Sequence, residues 1–171
     1  WANQHFPQVS INLYSGKDWM TDHLDQWSQE EARITGEKPI ILPLLDPLLD
    51  ATKPLHKLLL IGEAEEIQAL YRAISTDDFP STAFYLSKAN YLEVTAKHVS
   101  KEDALVELAN HYHLSLEEVL TMGDNFNDLP MLKKAGIGVA MGNAPQEVKD
   151  GAAVVTKTNN ENGAGQAVET Y

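Results

Sequence analysis

The chain has 171 residues, enough for one medium domain or two small ones, and its 43% hydrophobic content suffices for a packed core. A formal charge of −12 argues against nucleic acid and anionic membranes as partners, since both select basic patches. The absence of cysteine excludes disulfides and thiolate metal sites and favours a reducing cytoplasm.

In chain order, residues 10–14 alternate like a strand, Ser15-Gly16-Lys17-Asp18 turns, and Trp19-Met20 starts the partner strand. A helix is expected from about residue 22 to 34. The longest apolar stretch, residues 39–49, is interrupted by Pro43, Asp46 and Pro47, so it neither spans a membrane nor suits a central strand, and it reads as a connector. Residues 57–62 read as a buried strand. Residues 64–74 read as an amphipathic helix with Ile67, Leu70, Tyr71 and Ile74 on one face. Residues 82–86 and 91–94 look like closing strands.

A second region opens near residues 97–100. Ser100 and Asp103 have the spacing of a capping box, and Ala104, Leu105, Leu108, Ala109 and Tyr112 follow as a helical apolar face. Lys101 falls in the first turn of that helix. There a cation opposes the macrodipole, which makes it odd as decoration but sensible as a point charge for phosphate. Val119, Leu120 and Met122 form an apolar strand that carries Asp124 to its carboxyl end, where ligands of open α/β sheets bind. Gly123 allows a tight turn, Asn127 can cap the next helix, Pro130 is tolerated in its first turn, and Gly136 ends it.

Residues 121–128, Thr-Met-Gly-Asp-Asn-Phe-Asn-Asp, therefore form an acidic loop between strand and helix. Asp and Asn are frequent in such turns for capping alone. A calcium loop fails its template, since position six is Leu129 instead of Gly and position twelve is Ala135 instead of Glu. A phosphate monoester bound beside carboxylates needs a divalent cation, and hard oxygen ligands suit Mg²⁺, with Asp124 the best candidate. His111 and His113 diverge if both lie on a helix, so they read as surface residues, and Trp1, Trp19 and Trp27 read as packing residues.

The run from Leu92 to Glu169 resembles the haloacid-dehalogenase superfamily phosphatases of the Cof-like type, whose core carries a large inserted α/β cap. The ordered matches are Leu92-Glu93-Val94, Ser100-Lys101, Gly123-Asp124 with Asn127-Asp128, Met131-Leu132, Gly138-Val139-Ala140-Met141, Asn143-Ala144 and Asn160-Glu161-Asn162-Gly163. The resemblance implies an α/β fold: residues 1–98 as an α/β cap with an antiparallel sheet, and residues 99–171 as the C-terminal part of a Rossmann-like core with a parallel sheet and flanking helices. It places Asp124 as the Mg²⁺ ligand, Asn127 as a phosphate-contacting amide, and Asp128 as a carboxylate that supports metal and lysine and joins the metal site. Lys101 becomes the cation that binds substrate phosphate, and Lys101, Asp124 and Asp128 the catalytic set. One departure is Glu102, where relatives usually have Gly.

The implied function is Mg²⁺-dependent hydrolysis of a small phosphorylated metabolite, of the sugar phosphate, pyridoxal phosphate or flavin mononucleotide class, through an aspartyl phosphate. That chemistry needs an Asp-x-Asp nucleophile segment, and this sequence contains none; the nearest imitation, Ile40 to Asp46 with Asp50 and Thr52, has the wrong spacing. The chain is therefore expected to be the cap and C-terminal core portion of a longer enzyme, inactive alone, and to pair with the missing N-terminal segment or a partner chain. The alternative is a relative that binds phosphate or metal, or regulates a partner, without catalysis.

Overall fold

The first strand pair forms where the sequence alternates. In the computed structural model, which describes residues 1–50, 52–74 and 78–171, a short helix α1 (Ala2–His5) precedes β1 (Ser10–Ser15), and β1 turns through Gly16 into β2 (Asp18–Thr21). Gly16 has φ 59°, a left-handed value that suits glycine in a two-residue hairpin. The chain continues through α2 (Gln26–Thr35), β3 (Ile40–Ile41), α3 (Leu45–Leu49), β4 (Lys57–Ile61), α4 (Ala64–Ala73), β5 (Thr82–Lys88) and β6 (Tyr91–Ala96). These elements form a unit, Trp1–Lys97, around a six-stranded sheet of order β3-β2-β1-β4-β6-β5. All its pairings are antiparallel except β2 with β3. The expected antiparallel sheet is thus a mixed one, because the two-residue β3 returns beside β2 through a helical crossover.

The pleat sorts this sheet's two faces. Ile11, Leu60 and Leu92 sit opposite one another across β1, β4 and β6, and with Val9, Ile67 and Leu70 they build one core. Ile67 and Leu70 of α4 are fully buried, each contributing roughly 1.5–3 kcal/mol. Tyr71, expected on the same face, is exposed: period alone does not show how wide a stripe the sheet covers. On the other face Leu59, Ile61 and Tyr91 pack with Tyr14 and Trp27. Asn12 lies buried among them and is satisfied, accepting from Trp19 Nε1 at 2.8 Å and donating to the Leu59 carbonyl at 3.3 Å.

Helix α2 begins four residues later than expected. Asp25 is its N-cap, accepting from Ser28 N at 2.7 Å while Ser28 Oγ accepts from Asp25 N at 2.9 Å, and this reciprocal pair fixes the start. Asp46 lies in the first turn of α3 and not at a strand end, so the connector reading of residues 39–49 gains a short strand and a short helix.

The second unit, His98–Tyr171, comprises α5 (Lys101–His111), a 3₁₀ turn (Leu116–Glu118), β7 (Leu120–Gly123), α6 (Leu129–Lys134), β8 (Ile137–Ala140), α7 (Gln146–Gly151), β9 (Val154–Val155), a second 3₁₀ turn (Asn159–Glu161) and α8 (Gly163–Thr170). Strands β7, β8 and β9 form a parallel sheet in that order. Its core is Leu132, Ala140, Ala144 and Val148. Leu105 and Ala109 of α5 are buried, whereas Leu108 and Tyr112 are 60% and 64% exposed, so the apolar face of α5 is narrower than its spacing implied. Among the described residues, no helix is long and apolar enough to cross a membrane.

Candidate functional site

Strand β7 delivers Gly123 to its carboxyl end, and the acidic loop starts there. Asp124 is exposed and Asn127 half-buried, whereas Asp128 is 3% exposed. The buried carboxylate folds back over the loop. Its Oδ2 accepts from the backbone N–H of Asp124 at 2.9 Å and of Asn125 at 3.0 Å, and its Oδ1 accepts from Lys101 Nζ. A carboxylate this buried is tolerable because an ammonium and two amides compensate it, and removing Lys101 would strand it.

Three sequence expectations change here. The N-cap of α6 is Asp128 and not Asn127, and its side chain makes no capping bond because its oxygens serve the loop. Pro130 follows in the first turn, where its missing N–H leaves one orphan donor fewer. Gly123 is required for proximity, since its φ is not left-handed and a Cβ there would lie 2.4 Å from Asp128 Cβ and 2.9 Å from Asp128 Oδ2. Gly136 is likewise not the helix cap: Ala135 is, and a Cβ on Gly136 would lie 2.2 Å from the Glu117 carbonyl oxygen.

Lys101 reaches the loop from the first turn of α5. Ser100 caps that helix, its Oγ accepting from Asp103 N at 2.9 Å and donating to Asp103 Oδ2 at 2.7 Å. The Lys101 side chain is half exposed, so its ammonium touches Asp128 and still meets solvent. Glu102, the departure from the family pattern, is held by Lys134 of α6 at 3.4 Å, which gives its carboxylate a partner other than the loop.

Lys101, Asp124 and Asp128 are therefore gathered, and Asn127 lies in the same turn with no side-chain hydrogen bond among the described residues. Sequence reasoning assigned no role to Asn143, although Asn143-Ala144 was among the matched positions. Its Nδ2 donates to Asp124 Oδ2 at 3.3 Å and its Oδ1 accepts from Asn159 N at 3.0 Å. Among the described residues no three or more His, Cys, Asp or Glu converge as a metal site, so Asp124 and Asp128 are the carboxylates the loop offers. That donor set fits Mg²⁺, which takes one or two protein carboxylates and completes its shell with water and phosphate oxygens. Asp124 is exposed, while both oxygens of Asp128 are engaged.

A cavity of about 840 Å³ lies elsewhere, on the apolar face of the six-stranded sheet, lined by Trp1, Ile11, Leu58, Leu60, Phe84 and Val94 among others. Among the described residues Asp22 is its single charged lining residue, so these offer no acid–base pair or phosphate ligand set. Trp1 lines it, while Trp19 is buried and Trp27 packs against the opposite face.

The geometry can be set beside known proteins. A family profile described as haloacid dehalogenase-like hydrolase matches residues 1–168. A curated protein of Haemophilus influenzae is 40% identical over 164 residues, covering 95% of this chain and 60% of that protein. The Bacillus subtilis 5-amino-6-(5-phospho-D-ribitylamino)uracil phosphatase YcsE is 42% identical over 85 residues, 50% of this chain and 34% of that protein. A crystal structure of a haloacid dehalogenase-like hydrolase from Bacteroides thetaiotaomicron superposes with TM-score 0.77 at 32% identity, covering 95% of this chain and 60% of the other. The chain thus spans about 60% of the length of the relatives it matches along most of its own length. With the α/β fold, the parallel sheet and the acidic loop at its carboxyl end, the match places this chain in the haloacid dehalogenase-like hydrolase family.

Proposed function

We propose that these residues form the cap and part of the core of a Mg²⁺-dependent phosphatase acting on small phosphorylated metabolites in the cytoplasm, with the unit of residues 1–97 as cap. The observation that carries this reading is Asp128, whose buried carboxylate holds the Lys101 ammonium with one oxygen and ties down the Asp124 and Asn125 amides with the other. That arrangement supports a cation beside an exposed carboxylate at the end of a parallel strand. It matches the charge pattern of a phosphate and its metal.

In this reading Asp124 is the foremost metal ligand, with Asp128 behind it. Bound Mg²⁺ would offset phosphate charge beside the carboxylates. Lys101 binds a phosphate oxygen as a point charge, and the Asn127 amide donates to another. Asp128 sets the Lys101 ammonium in place and keeps the loop closed.

The nucleophile is proposed to be an aspartate outside these 171 residues, on a strand that adds to the free edge of β7, from the same polypeptide or a partner chain. Two observations support this. Among the described residues β7 pairs only with β8, and Thr121 Oγ1, on that edge strand, is buried without a hydrogen-bond partner. The name of the relative YcsE supports a phosphorylated small molecule as substrate class.

These residues alone are expected to show no turnover of para-nitrophenyl phosphate with Mg²⁺. Once an Asp-x-Asp strand is supplied, Asp124→Ala and Lys101→Ala should each lower kcat/KM by about 100-fold or more. Wild-type rates in both variants would sink the site assignment.

A further inference from the structure

We propose that Asn143 is a positioning residue that fixes the carboxylate of Asp124 for cation binding. The inference rests on the reading of Asp124 as metal ligand and adds the group that aims it.

The backbone around Asn143 is anchored on both sides. Met141 N donates to the Gly123 carbonyl at 2.9 Å, Gly142 N to the Lys157 carbonyl at 3.0 Å, and Ala144 is buried in the core of its unit. Gly142 lets the next segment approach, since a Cβ there would lie 2.8 Å from Thr158 N. The side chain between these anchors bridges two segments, Asp124 on one side and Asn159 on the other.

The orientation of the amide follows from chemistry. A backbone N–H can only donate, so the oxygen of Asn143 must face Asn159 and its NH₂ group must face Asp124. The Asp124 carboxylate thus has one oxygen held by a neutral donor. A neutral amide restricts the rotamer without cancelling the charge, whereas a lysine there would compete with a cation. The 3.3 Å separation makes this a modest hydrogen bond, enough to orient and too weak to neutralise. Groups that orient metal ligands in this way typically change affinity 10- to 100-fold when removed.

The two halves of the bridge can be cut separately. Asn143→Ala removes both bonds. Asn159→Pro leaves the bond to Asp124 in place and removes the amide that donates to Asn143 Oδ1, together with the Asn159 Oδ1 that accepts from Asn160 N at 3.0 Å, at a first-turn position preceded by extended backbone at Thr158, where proline is accommodated. The experiment titrates the ¹⁵N-labelled 171-residue chain with Mg²⁺, following the Asp124 and Asn125 amides by NMR, with thermal melts in parallel. Saturable shifts are expected in the wild type and not in Asp124→Ala. Asn143→Ala should weaken Mg²⁺ binding tenfold or more, and Asn159→Pro should lower the Tm while leaving affinity within threefold.

Unchanged affinity in Asn143→Ala, or an equal loss in Asn159→Pro, would overturn the proposal; the second result would make the bridge a loop tie. If Asn143→Ala does not fold, Asn143→Asp keeps the oxygen facing Asn159 and replaces the donor with a carboxylate. A tenfold weakening, despite the added negative charge, then supports the proposal, and an unchanged or tighter affinity overturns it. A wild type with no saturable response, identical to Asp124→Ala, would remove the metal assignment itself and this proposal with it.

Discussion

In the unit of residues 1–97, Gly16 and Gly36 have φ of 59° and 76° and nothing within 4 Å of where a Cβ would stand. In the unit of residues 98–171, a Cβ on Gly138 would lie 2.0 Å from the Leu132 carbonyl oxygen, and one on Gly163 2.0 Å from the Lys157 carbonyl oxygen. The first pair supplies backbone conformations that a side chain disfavours. The second supplies space between backbones. The first unit thus uses these glycines for left-handed turns, whereas the second uses them to let backbone segments pass close to one another.

The contrast predicts an order of effects. Gly138→Ala should be the most damaging, because backbone and not a flexible side chain must yield; about 3 kcal/mol or more is expected. Gly36→Ala meets no neighbour and should cost about 1 kcal/mol, the strain of a left-handed residue. Urea denaturation followed by far-ultraviolet circular dichroism measures both, and equal losses would dissolve the distinction.

Asp25→Ala should cost about 1 kcal/mol by removing the α2 cap, a signal local in sequence. A loss in α2 helicity confined to its first turn, seen in NMR chemical shifts, would confirm it. A negligible loss would show that packing, and not the cap, starts the helix.

A further effect, confined to high pH, is expected in alkali. Burial pushes the Tyr14 hydroxyl up to about 12, with the negative charges of Glu31 and Glu93 adding to it. The folded state therefore keeps this proton longer than the unfolded chain does. The contribution is complete below pH 10 and is lost as pH rises from about 10 to 12. Denaturation midpoints across that range should fall less steeply in Tyr14→Phe than in the wild type, and identical slopes would assign the fall to other groups.

Much of the first unit was legible because its signals are local. Residues 10–14 alternate, and Ile67 and Leu70 sit at helical spacing. The start of α2 was missed because Asp22 and Asp25 are both capping residues, and Ser28, three places after Asp25, decides between them. Strand β3 carries no readable period in two residues, and its parallel partner depends on a crossover. Exposure of Leu108 and Tyr112 shows that spacing reveals a face and not its partner. At the site, Asp124 and Asp128 were visible as a loop motif and Lys101 as a cation against its helix dipole. The bridge from Asn143 joins residues 19 positions apart through side-chain atoms, which no spacing rule encodes.

Asp128 also has a consequence for exchange with solvent. Asp124 lies in an exposed loop, where amide protons ordinarily trade with water within seconds or less, yet its N–H and that of Asn125 are capped by a carboxylate that is itself out of water. Deuterium should enter these two positions only when the loop opens and the Lys101 contact breaks with it. Their exchange rate thus becomes a clock for how often the site comes apart, readable without any substrate.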